Sequence, residues 1–157
     1  MAALIALVSY FVPILPSLNS VGRQSLGTFF YAVSIGVLTY WFFPLGLPQF
    51  AVIGILVMAW GDGLAAVVGQ HWGRHKYQVG NNKKSWEGSG TMFVMSGVVT
   101  FLVLWGVYGL SWPLVGIVFA VSAIATLLEA FSFLGIDNLT VPLGSAMLAF
   151  YSCQWGL

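Results

Sequence analysis

Long runs of apolar residues are the feature of this sequence that most restricts its fold. Five or six such runs can be drawn, at 2–15, 26–45, 49–69, 91–110, 112–134 and 139–155. The first is short, and each of the others approaches the roughly 20 residues that a helix needs to cross a bilayer. Strand-like alternation is absent, so helices must satisfy the backbone in lipid. The sequence therefore predicts an all-α polytopic transmembrane bundle of five to six membrane segments.

The composition supports lipid as the solvent for this chain. Hydrophobic residues make up 59% of the sequence and charged residues only 6%, whereas soluble domains carry about a quarter charged residues. A net charge of +1 gives no basis for binding nucleic acid. Cys153 is the single cysteine, which excludes a disulfide framework and a cysteine-based metal site. No basic stretch precedes the first apolar run, so we predict no cleaved signal peptide.

The basic residues predict how the bundle is oriented. They occupy alternate loops, with Arg23 after the first run and the others after the third, at Arg74, Lys76, Lys83 and Lys84. Loops that alternate along a bundle lie on the same side, which the positive-inside rule makes cytoplasmic. The opposite loops, 44–48 and 109–112, carry no charge. Polar chemistry is therefore expected at the cytoplasmic face.

Asp62 is a carboxylate inside the third apolar run. A charge at the centre of a membrane helix costs about 2.5–3.5 kcal/mol, so such residues serve a metal, a proton path or a counter-charge. The alternative is an aspartate paired with a basic residue for packing alone. Gly61 and Gly63 flank Asp62 and allow close approach of either a phosphate or a neighbouring helix.

The polar stretch 70–90 combines four cations with small residues and Glu87. Lysine and arginine bind phosphate, and glycine and serine let backbone N–H groups approach its oxygens. This composition suits a polyphosphate with Mg²⁺, although a basic loop that only obeys the orientation rule has the same composition. The spacing is not that of a phosphate-binding P-loop. His71 and His75 are read as loop histidines rather than a metal pair.

A second acidic group follows at the end of the fifth run, where Glu129 precedes Asp137 and Asn138 in the next turn. Paired carboxylates with phosphate oxygens are the ligands that Mg²⁺ prefers, so Glu129 can complete a site with Asp62. The alternative for Glu129 is a hydrogen bond between helices. The polar patch 19–25 either contacts phosphate through Arg23 or is simply a loop.

Several separated motifs resemble the phytol kinase family. They are Trp-Gly-Asp-Gly-Leu-Ala-Ala at 60–66, Gly-Arg-His at 73–75, Lys-Lys-Ser-Trp-Glu-Gly-Ser at 83–89 and Gly-Ile-Asp-Asn-Leu-Thr-Val-Pro at 135–142. The resemblance extends from about Pro13 onward. That family is grouped with dolichol kinases and CTP-dependent diacylglycerol kinases and is related to the phosphatidate cytidylyltransferases. The resemblance implies Mg²⁺-dependent transfer of a phosphoryl group from CTP to an isoprenoid alcohol, foremost phytol, in tocopherol synthesis and phytol salvage.

A mechanistic hypothesis assigns roles to the residues identified above. Asp62, Glu129 and Asp137 are expected to be catalytic, with Asp62 or Asp137 accepting the hydroxyl proton. Mg²⁺ is expected to be held by Asp62 and a second carboxylate, Glu87 or Glu129. The nucleotide would contact Gly61, Gly63, Arg74, Lys83, Lys84, Ser85, Glu87, Gly88, Ser89 and Asn138. The expected partners are the bilayer, the alcohol and CTP, with a homodimer as an open assembly state. The expected location is a cyanobacterial or plastid membrane.

We expect a single membrane domain, 1–157. Relatives begin with a further helix bearing an Arg-Lys-x-x-His motif, which is not found before Ala2; either this helix is lacking or its groups are not required. Three alternatives stay open: a cytidylyltransferase that makes CDP-diacylglycerol, a CTP-dependent kinase for dolichol, farnesol or diacylglycerol, and an ion-coupled transporter with Asp62 and Glu129 in its path. A non-catalytic paralogue is a fourth.

Overall fold

Helices make up nearly all of the chain that the structure describes. A computed structural model describes residues 27–79, 82–132 and 135–156. The helices are α1 (Gly27–Phe42), α2 (Pro48–Leu56), a π-helical segment (Val57–Asp62), α3 (Gly63–His71), α4 (Trp86–Tyr108), α5 (Trp112–Ala130) and α6 (Asp137–Gly156). The strands are β1 (Lys76–Val79) and β2 (Asn82–Ser85). The first apolar run and the patch 19–25 lie outside the described residues.

Within the residues that the structure describes, three helices are long and apolar enough to cross a membrane. They are Pro48–His71, which unites α2, the π-helical segment and α3, together with α4 and α5. Helix α1 is apolar but has only 16 residues. The predicted helical membrane fold is thus confirmed in its class, and the total of five to six membrane segments stays a prediction.

The stretch between α3 and α4 differs from the predicted loop because it contains a β-hairpin. Strands β1 and β2 pair antiparallel, with Lys76 opposite Ser85 and Val79 opposite Asn82. The sequence contained a signal for this hairpin, because the dipeptide Gly80-Asn81 is of a type that often connects two strands. Helical periodicity alone could not reveal it. The hairpin brings the lysines of both strands to one end of the bundle.

Small residues allow the helices to pack closely, as is usual where lipid supplies no hydrophobic driving force. A Cβ at Gly54 would collide with the carbonyl oxygen of Pro142, and a Cβ at Gly97 would lie 3.0 Å from Ser122 Oγ. These contacts join α2 to α6 and α4 to α5. An aromatic cluster of Phe42, Phe50 and Phe150, with ring centroids 5.3–5.7 Å apart, fills the core beside them.

Candidate active site

A polar cavity of about 400 Å³ lies where α3, the hairpin, the first turn of α4 and the end of α5 meet. It is lined by two carboxylates, three lysines, one amide and small residues: Asp62, Glu129, Lys76, Lys83, Lys84, Gln70, Ala65, Ala66, Gly69, Ser85, Gly88 and Ser89. Seven of the residues predicted for the site are in this lining. They come from sequence positions up to 67 apart, so the fold gathers the separate motifs.

Asp62 is the last residue of the π-helical segment and is half-buried. It lies within electrostatic range of Asp137, Glu129 and Lys84. Single π turns inside α-helices occur often at functional sites, because the widened turn changes where side chains point. Asp62 is therefore influenced by two other carboxylates and by one lysine ammonium group.

Lys84 links the hairpin to the end of α5. Its Nζ lies 2.5 Å from Glu129 Oε1 and also donates to the backbone carbonyl of Glu129. Glu129 is only 8% exposed, and its second carboxylate oxygen, Oε2, is buried with no hydrogen-bond partner among the described residues. A buried carboxylate oxygen in this state is available to a cation. The ion-pair partner of Glu129 is thus a lysine of strand β2 rather than a group on a neighbouring helix.

Asp137 joins the same cluster through Ser132. Ser132 Oγ lies 2.9 Å from Asp137 Oδ2, 2.9 Å from the carbonyl oxygen of Glu129 and 3.5 Å from Lys84 Nζ. The backbone N–H of Asn138 donates to Asp137 Oδ1 at 3.0 Å. Ser132 and the Asn138 N–H therefore hold the Asp137 side chain near Glu129 and Lys84.

Close contact between α3 and α4 holds Asp62 beside the hairpin. Ser85 caps α4, since its Oγ accepts the N–H of Gly88 at 3.1 Å. A Cβ at Gly88 would lie 3.0 Å from the carbonyl oxygen of Ala65 and 3.4 Å from Gly69 Cα. Residues larger than glycine would push the two helices apart. Ser85 and Gly88 therefore shape the cavity as well as line it.

Six predicted site residues do not line the cavity: Gly61, Gly63, Arg74, Glu87, Asp137 and Asn138. Glu87 instead contacts the exposed His75, with Oε1 2.8 Å from Nδ1 and 3.2 Å from the backbone nitrogen. Gly61 packs against α4, where a Cβ would lie 2.7 Å from Met92 Sδ. Gly63 has open space around it, and Arg74 is exposed.

Gln70 and Lys76 line the cavity, and both belong to the polar stretch 70–90, but neither was predicted individually as a site residue. A signal for Gln70 was available, because Asp62, Ala66 and Gln70 are spaced by four residues and share one face of a helix. Lys76 could have been found from the hairpin register, which places it opposite Ser85.

The donor set fits a magnesium ion that is shared with phosphate. Within the described ranges, no three histidine, cysteine, aspartate or glutamate side chains are grouped closely enough to hold a metal by themselves. Mg²⁺ commonly takes one or two protein carboxylates and fills its other positions with water and phosphate oxygens. Asp62 and Glu129 line one cavity, and Glu129 Oε2 has no other partner. Two carboxylates and a polyphosphate would thus suffice.

Known proteins resemble the chain in sequence, although no protein-family model and no solved structure matches it. A phytol kinase of Synechocystis sp. is 60% identical over 148 residues, covering 94% of this chain and 64% of that protein. A probable chloroplastic phytol kinase of Triticum aestivum is 30% identical over 79% of this chain and 43% of that protein. CTP-dependent diacylglycerol kinase 1 of Schizosaccharomyces pombe is 29% identical over 79% of this chain and 59% of that protein.

The chain spans about two fifths to two thirds of the length of these curated relatives. The matched region includes most of this sequence, and with it the cavity and the helices that form it. The resemblance to the phytol kinase family that the sequence motifs indicated is thereby confirmed.

Proposed function

We propose that this chain transfers the γ-phosphoryl group of CTP to an isoprenoid alcohol, most specifically phytol, to give phytyl phosphate and CDP. The observation that carries the proposal is the polar cavity at one end of apolar helices, where Asp62 and Glu129 face three lysines. A polyphosphate requires such cations, and a lipid acceptor requires that they stand beside membrane helices. The relatives named as phytol kinases and as a CTP-dependent kinase support the acceptor and the donor.

Asp62 and Glu129 are the residues that would hold Mg²⁺, which would neutralise charge on the phosphates. We leave Glu87 out of this set because its carboxylate contacts His75 outside the cavity lining. Lys76, Lys83 and Lys84 would hold the phosphate oxygens, as point charges that need no fixed geometry. Phosphoryl transfer depends mainly on such positioning and charge neutralisation.

Asp137 is the group that we assign to the acceptor hydroxyl. The alcohol oxygen forms its bond to the γ-phosphorus, the bond from phosphorus to the β–γ bridging oxygen breaks, and the hydroxyl proton passes to a carboxylate. Asp137 is suited because Ser132 and the Asn138 N–H hold its two oxygens beside Glu129 and Lys84. Asp62 would then remain free for the metal.

We place the cavity on the cytoplasmic side of a cyanobacterial or plastid membrane. The hairpin lysines support this side under the positive-inside rule, and the wheat relative is named chloroplastic. The proposal includes five to six membrane segments and a homodimer.

The deciding experiment uses purified protein in detergent with Mg²⁺, phytol and γ-labelled CTP. We expect label in phytyl phosphate and equimolar release of CDP. Asp62→Asn should lower the rate by about 100- to 1,000-fold, as when one group that stabilises transition-state charge is lost, without loss of helical circular dichroism. Retention of most activity by Asp62→Asn would refute the metal assignment. Release of pyrophosphate when phosphatidate replaces phytol would instead identify a cytidylyltransferase.

A further inference from the structure

A second cavity, of about 290 Å³, lies between α5 and α6 and is mainly apolar. Its apolar wall is formed by Ile124, Leu127, Leu128, Phe131 and Ile136. Ser132 and Thr140 supply its hydroxyl groups. The hydroxyl of Thr140 donates to the carbonyl oxygen of Ile136, the residue before α6, at 3.2 Å. Ser132 Oγ instead contacts groups of the polar cluster beside the cavity.

Ser132 connects the apolar cavity to the catalytic cluster. Its Oγ lies 2.9 Å from Asp137 Oδ2 and 3.5 Å from Lys84 Nζ, and Lys84 lines the polar cavity. Ser132 thus lines the apolar cavity and also contacts the carboxylate and the ammonium group that we assign to the reaction. A ligand lying in the apolar cavity would present its end to these groups.

The chemistry of the two cavities describes an amphiphile with a long apolar body and a small polar head. We propose that the apolar cavity binds the hydroxyl-proximal part of the isoprenoid chain, with the hydroxyl at Ser132 and Asp137. This inference rests on the proposed function and adds the acceptor site to it. Binding cavities range over about 300–1,000 Å³, so this one suits part of a single chain, and the remaining carbons would lie among the lipids.

Photo-crosslinking tests the site without requiring turnover. The probe is a C20 isoprenoid alcohol with a diazirine a few carbons from the hydroxyl, and its control is the same chain without the hydroxyl. We expect the alcohol to label peptides containing residues 124–140, and the hydrocarbon to label the lipid-facing helices without preference. Equal labelling of α4 and α5 by both probes would show general lipid contact and overturn the proposal.

Substitutions that narrow the cavity provide the kinetic test. Leu127 and Ile124 are 51% and 39% exposed, so Leu127→Trp and Ile124→Trp add volume without entering the core. Val115→Trp, on the same helix at a site 50% exposed and outside the cavity, is the matched control. Both cavity variants should raise KM for phytol about tenfold and leave KM for CTP unchanged, because uniform acceptor binding is lost.

The outcomes separate the two proposals. If both tryptophan variants keep KM for phytol within about twofold of the control, the acceptor site is wrong. If the alcohol probe labels residues 124–140 but no phosphoryl transfer occurs with CTP, the acceptor site is supported and the proposed kinase activity is refuted. If phosphoryl transfer occurs but labelling avoids these residues, the activity stands and the acceptor binds elsewhere.

Discussion

Lys84 and Glu129 illustrate how a charge can be kept near a membrane interior. Their side chains are 16% and 11% exposed, and each is the other's ion-pair partner. Removing one member of a buried pair leaves an uncompensated charge and typically costs about 3–5 kcal/mol. Glu129 therefore carries a structural role as well as the metal-binding role that we propose, and its substitution should affect both.

The structure separates two glutamates that the sequence had treated alike. We expect Glu129→Gln to lower phosphoryl transfer by about 100-fold or more, since a charge-stabilising group is lost from the cavity. Glu87→Gln removes the charge from the contact with His75, whose side chain is 79% exposed, and exposed pairs contribute little. It should keep most of the activity. Rates measured at saturating CTP and phytol check this. An equal loss of activity in both variants would show that Glu87 also belongs to the active site.

At the scale of elements, the cavity depends on how closely α3 approaches α4. The glycines at this contact are not equivalent, because a Cβ at Gly88 meets backbone of α3 whereas a Cβ at Gly90 meets nothing within 4 Å. The two positions lie two residues apart on one helix. Alanine can therefore be introduced at one position where its Cβ contacts α3 and at another where it does not.

We expect Gly88→Ala to lower the free energy of unfolding by about 1–3 kcal/mol, the usual cost of overpacking. Gly90→Ala should be neutral or stabilising by up to about 1 kcal/mol, because alanine favours the helix. Denaturant unfolding in detergent, followed by circular dichroism, measures both. A Gly88→Ala protein as stable as the Gly90→Ala protein would show that the helices are not held by this contact.

The elements also show what the sequence could predict. Apolar runs located every described helix, because length and hydropathy are local properties. The start of α4 at Trp86 rather than residue 91 was missed because the cap at Ser85 and the turn Glu87-Gly88-Ser89 are polar, and polarity suggested a loop. Asp62 and Glu129 were predicted to act together, whereas the contact between Lys84 and Glu129, 45 residues apart, depends on how the hairpin folds over α5.

At the scale of the whole molecule, the two ends of the bundle differ in chemistry. The carboxylates of the cavity and the hairpin lysines lie at one end. The connections from α1 to α2 and from α4 to α5 carry no charge, and exposed aromatic residues such as Tyr40 and Trp112 stand beside them, as in the aromatic belt at a membrane interface. This polarity predicts that the two ends face different aqueous compartments.

Cysteine labelling in intact cells tests this orientation. Cys153 is buried, so it should react little with the maleimide and labelling of an added cysteine can be measured. Arg74→Cys places a thiol beside the hairpin and Leu110→Cys places one in the uncharged connection, and both positions are exposed. A membrane-impermeant maleimide should label Leu110→Cys from outside and Arg74→Cys only after permeabilisation. The reverse pattern would put the cavity on the opposite side.

The π-helical segment has a consequence for how this protein tolerates changes in length. A π turn holds one residue more than an α turn and absorbs it locally, so the flanking halves of the long helix keep their partners, Gly54 at Pro142 and Gly69 near Gly88. Deleting the exposed Ala59 should convert the π turn into an α turn, and both halves of the helix should keep their packing contacts. The widened turn that positions Asp62 would then be lost. If the deletion protein is stable and inserted in the membrane but inactive, activity depends on where the backbone places Asp62 and not only on the presence of its carboxylate.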